Sequence, residues 1–83
     1  MEIRISEELI RKMDSELILR EQVETLIREA EESGVKIFDE EDNMFIAHRR
    51  FGTVTIWAVY SLDGDAADLT NVYLHRMEVM EDN

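Results

Sequence analysis

The sequence predicts an α+β domain: an N-terminal helix pair packed on one face of a small antiparallel sheet of about four strands in a meander. Three observations carry this. Met44 to Tyr60, MFIAHRRFGTVTIWAVY, concentrates β-branched and aromatic residues around Gly52 and reads as a hairpin. Glu7 to Ser33 has helical periodicity and stops at Gly34. Thr70 to Val79 alternates again.

Length and composition set the limits. At 83 residues the chain is expected to be one domain, 1–83, with a modest core. It contains no Cys, which excludes disulfides and Cys-based zinc or iron–sulfur sites and suits a reducing compartment. No apolar run approaches the ~20 residues of a membrane span, and the opening Met1-Glu2-Ile3-Arg4 does not read as a signal peptide. A cytoplasmic protein is the expectation. The formal net charge of −11 argues against nucleic acid and against anionic membranes as partners.

Along the chain, Glu2 to Ser6 alternates and reads as a short strand or an extended arm. Ser6 followed by Glu7 and Glu8 is a helix start, with a hydroxyl to cap the first amides and carboxylates at the positive end of the dipole. Leu9, Ile10, Met13 and Leu17 form one apolar stripe. Leu19, Val23, Leu26, Ile27 and Ala30 form another, roughly 110° away. A bend near Asp14 to Leu17 follows, with Asp14 or Ser15 as the cap of a longer second helix running to about Glu32. Gly34 stops that helix in a left-handed conformation, placing Val35 to pack back near Ala30. The last turn carries Glu29, Glu31 and Glu32, the wrong sign for a helix C-terminus, so Arg28 and Lys36 are expected to offset them.

Val35 to Phe38 is a short strand, and Asp39 to Asn43 an acidic turn into the hairpin. Phe51 is a poor left-handed residue, which favours a three- or four-residue hairpin loop with Gly52 in αL. Ser61 to Asp68 reads as a loop around Asp63-Gly64. Within the hairpin, Val54, Ile56, Ala58 and Tyr60 share one face; Trp57 and Val59 share the other. Both faces are apolar. One helical layer covers one face, and the cheapest cover for the second is a copy of the same chain.

Candidate chemistry is sparse. Asp39, Glu41 and Asp42, with Asp63, Asp65 and Asp68, could gather carboxylates around a hard cation. Asp63-Gly64-Asp65 with Asp68 resembles part of a calcium loop, but the glycine is out of place and the distal Glu is missing. A solvated charge run at a turn is the plainer reading. His48 and His75 could meet across the sheet, yet Arg49, Arg50 and Arg76 beside them would repel a metal ion, and no HxH or HExxH spacing exists. The same five residues form a basic group in an acidic chain, suited to an anion, to the acidic turns of a second subunit, or to local ion pairs. No nucleophile motif or phosphate loop is present, so the chain is not expected to be an enzyme and no cofactor is implied.

The reading is therefore a small acidic accessory or adaptor protein that works by protein–protein contact, as a homodimer or with another protein. The interface residues are Trp57, Val59 and Tyr73 with His48, Arg49, Arg50, His75 and Arg76. The alternative is a divalent-cation or small-ligand binder using turns 39–43 and 63–68.

Overall fold

The computed structural model describes residues 1–76. Two helices, α1 (Glu7–Ser15) and α2 (Arg20–Ser33), pack on one face of a five-stranded, mostly antiparallel sheet. Its strands are β1 (Glu2–Arg4), β2 (Ile37–Asp39), β3 (Met44–Phe51), β4 (Val54–Asp63) and β5 (Ala66–Arg76). Their order across the sheet is β1-β5-β4-β3-β2. The helices thus carry the chain from one sheet edge to the other, and the meander brings it back.

The α+β class and the helix pair match the sequence reading; the strand count is five, not four. The additional strand is β1, which pairs parallel to the start of β5, with Ile3 opposite Ala67. That pairing also corrects the Ser61–Asp68 loop. β4 continues to Asp63 and β5 begins at Ala66, leaving a two-residue turn at Gly64-Asp65. Two alanines are weak strand formers, and a neighbour distant in sequence holds them in the sheet. The expected reach of the last strand to Val79, with Met77 and Val79 on one face, lies outside the described residues, as does the tail.

The hairpin turn differs as well. Phe51 pairs with Val54, so the loop is the two residues Gly52-Thr53. Phe51 stays in the strand, and Gly52 takes the positive φ, 64°, at the first central position. That is the requirement of a type II′ turn. A bulge places Thr70 as the additional residue of β5, because Val59 pairs with Asn71 and Tyr60 with Leu69.

Ser6 caps α1 as expected, its hydroxyl accepting from the Leu9 amide. The link between helices is tighter than a simple bend. Ile18 N donates to Met13 O (2.8 Å) and Leu17 N to Asp14 O (3.3 Å), with Leu17 at φ 59°. This is the Schellman pattern with Leu where Gly is usual, and buried Ile18 and Met13 supply its apolar contact. Neither Asp14 nor Ser15 caps α2. Leu19 holds that position, and its amide donates to Gln22 Oε1 at 3.0 Å.

Gly34 ends α2 at φ 75°, its amide donating to Ala30 O at 2.9 Å. Val35 does not fold back onto Ala30; it is 75% exposed, because the chain leaves directly for β2 at the sheet edge. The acidic last turn of α2 does find cations. Lys36 pairs with Glu31, and Arg49 Nε lies 3.2 Å from Glu29. Arg28 instead reaches Glu24 and the Met1 carbonyl.

The core lies between helices and sheet. Val23, Leu26 and Ile27 of α2 meet Ile56, Ala58 and Tyr60 of β4, flanked by Ala47 and Val72. The small alanines on β3 and β4 leave room for the helices. Tyr60 is fully buried, and its hydroxyl donates to Glu31 Oε2 at 2.6 Å. Burial and the adjacent carboxylate both push the Tyr60 pKa up. Burial opposes ionisation of Glu31, but hydrogen bonds from Lys36 and Tyr60 and the Lys36 charge hold its carboxyl below the usual range.

Candidate functional site

The face of the sheet turned away from the helices is the candidate site. Strand registers arrange it in four rows. The first holds Asp39 beside Met44, with Ser61 and Asp68 at the same level and Arg4 beyond. The second is Ile37, Ile46, Val59 and Asn71. The third is His48, Trp57 and Tyr73. The fourth is Arg50, Thr55 and His75. This face is acidic at one end, apolar in two central rows and basic at the other end.

The centre is ordered by stacking. The His48 ring lies on Trp57 with centroids 4.3 Å apart and planes 24° from parallel. Neither ring is covered by the helices. Tyr73 remains 48% exposed, and its hydroxyl accepts from Asn71 Nδ2 at 2.7 Å. An open depression of about 740 Å³ crosses this face, floored by Ile46, Trp57, Val59 and Tyr73 and reaching Asp39 and Asp42 at one side and His75 at the other.

Lys12 reaches this face from α1. Its Nζ donates to Val72 O and to Asn71 Oδ1, each at 2.8 Å, and lies 4.7 Å from the Tyr73 ring centroid. Beyond the short β1, strand β5 is a sheet edge, and the lysine occupies a carbonyl there that another strand could otherwise take. The opposite edge has no such cover among the described residues. Ile37 and Phe38 of β2 are 58% and 47% exposed.

Of the expected interface residues, Trp57, Val59, Tyr73, His48, Arg50 and His75 do share this face. Arg49 and Arg76 do not. Arg49 sits opposite Ile56 on the helix side, pairs with Glu29 and stacks over Phe51 at 4.7 Å. Arg76 sits opposite Val54 in the same layer. The basic group is therefore divided by strand alternation between two faces.

The six carboxylates are not brought to one point. Arg4 holds Asp68 at 2.7 Å and Asp63 at 2.9 Å, while Asp39 Oδ1 accepts from the Glu41 amide at 3.1 Å. Among the described residues no three of His, Asp or Glu converge as a metal would need. The hydrogen bonds Arg4 donates to Asp63 and Asp68, together with the charge of those carboxylates, raise its pKa above the ordinary value.

Sequence reasoning missed Ile37, Ile46, Lys12 and Asn71 as members or supports of this face. Ile46 follows from alternation once Trp57 is placed opposite His48. Lys12 left no signal, because its role depends on where β5 becomes an edge. No family model matches the chain, and no curated protein or solved structure matches it.

Proposed function

We propose that the chain is a small accessory or adaptor protein that works by protein–protein contact through the open face of its sheet, with a second copy as partner. The observation that carries the reading is the pair of central rows, Ile37–Ile46–Val59–Asn71 and His48–Trp57–Tyr73. Helices cover only the other face. Contiguous apolar surface around an aromatic cluster, with charge at its ends, is the composition of an interface core and rim. The reading includes no catalytic step. A cytoplasmic location belongs to it and rests on the sequence alone.

Sedimentation equilibrium at micromolar concentration tests it. The wild-type chain is expected to be a dimer, and Trp57→Glu a folded monomer with its circular dichroism spectrum retained. Each copy carries −11, so association should tighten as salt rises through about 0.1 M, where the screening length is about 10 Å. A wild-type chain that stays monomeric at about 100 μM sinks the reading.

A further inference from the structure

Resting on that reading, we infer that the two copies meet face to face about a two-fold axis that runs across the strands, between the Trp57 row and the Val59 row. The charge order of the open face selects this axis. A face-to-face pair must have its two-fold axis in the plane between the sheets. An axis along β4 keeps each row on its own image and reverses its lateral order, so that Arg50 comes over His75 with no carboxylate between them, while Asp39 comes over Arg4 and beside Asp68 of the other copy. An axis across the strands exchanges the rows instead. The acidic row then lies on the basic row, and the Trp57 row lies on the Val59 row.

Lateral position is kept in this arrangement, which makes the pairing specific. Asp39 lies on β2, next to β3, and comes over Arg50 on β3 of the other copy. Asp68 on β5 comes over His75 of β5. Asp68 already holds Arg4, so the Asp39–Arg50 contact is the one with capacity on both sides. Arg50 Nε donates to the Gly52 carbonyl at 2.8 Å, and among the described residues no carboxylate lies within ion-pair distance of it. Asp39 has no cationic partner among the described residues. In the centre, the flat His48–Trp57 stack meets aliphatic Ile46 and Val59, a large-on-small match that row-on-itself packing would lose. Aligned sheets cross at about 30° through their twist, an offset that still keeps acid near base at both ends.

A charge-exchange cycle tests the axis. Dimer dissociation constants are measured by sedimentation for wild type, Arg50→Glu, Asp39→Arg and the double variant. Each single change places like charges together twice, once at each symmetric contact, and is expected to weaken the dimer about tenfold. The double variant re-pairs them and should return to within about threefold of wild type. Asp42→Arg, in the exposed turn beside Asp39, replaces Asp39→Arg if the latter loosens the β2–β3 hairpin in a thermal melt. A wild-type monomer overturns the underlying reading and the axis with it. A wild-type dimer that Arg50→Glu tightens, or whose double variant is as weak as the two singles multiplied, overturns the axis alone.

Discussion

Ile56 and Trp57 are neighbours in β4 and differ in almost everything that matters to folding. Ile56 has no exposed surface and sits beneath α2 in a layer whose alanines bring the helices close. Trp57 points the other way, stacks on His48 and meets no helix. The covered face is a packed core of interlocking aliphatic side chains with one polar atom, the Tyr60 hydroxyl, carefully partnered. The open face is apolar only in the middle and is edged by opposite charges. Two apolar faces on one sheet are thus not equivalent: one is packed beneath the helices, and the other is left open with opposite charges at its ends.

The largest expected effect separates these roles. Ile56→Ala should cost about 2–5 kcal/mol, the lost transfer energy plus the cavity left beneath the helices. Trp57→Ala should cost the isolated monomer only about 1 kcal/mol, chiefly its stacking on His48. Urea unfolding at concentrations below dimer dissociation gives both values. Equal losses at the two positions would break the distinction between the faces. Above the dissociation concentration, the Trp57 loss should grow while the Ile56 loss stays fixed.

A smaller effect is expected where the covering layer ends. Gly34 stops α2 at positive φ and releases the chain toward β2, whose Ile37 belongs to the open face. A Cβ there would meet nothing within 4 Å, so a substitution is penalised by backbone strain rather than collision. Gly34→Val should destabilise by about 1–2 kcal/mol. An unchanged melting temperature would mean the helix end can rearrange without cost.

Much of this was legible in the residues, and the misses have physical causes. Ser6, Gly34 and Gly52 act locally, and each does in the structure what its chemistry demands. The alternation of β4 was legible for the same reason, since side-chain direction in a strand needs no partner to fix it. What failed depended on contacts distant in sequence. The residues left Glu2 to Ser6 open between strand and arm, because β1 is a strand only with β5 beside it, and the Ala66-Ala67 loop was misread because those residues extend only where β1 does. Arg49 and Arg50 looked like one basic site but alternation sends them to opposite faces. The Glu-rich end of α2 announced a need for cations, and only the fold could name Arg49 as one of them.

The smallest expected effect probes Glu31, an ionised group set against the covered face. Glu31 accepts from Tyr60 and Lys36, and Lys36 also lies 4.1 Å from the Phe45 ring centroid. These bonds hold the carboxyl below its usual range despite partial burial. A group whose folded pKa is depressed adds stability that is complete above its unfolded value, about 4.3, and is lost as pH falls through the folded value. Glu31→Gln keeps the shape and removes the charge, so at pH 7 it should be less stable than wild type by about 1 kcal/mol. As pH drops below about 4 the difference between the two proteins should shrink, because protonation then does to the wild type what the substitution did already. Urea midpoints between pH 7 and pH 3 follow this directly. Trp57 and its face should contribute nothing to that convergence, so repeating the series in the Trp57→Glu background should leave it unchanged. A pH dependence that disappears with Trp57→Glu would place the titration in the dimer interface rather than beneath the helices.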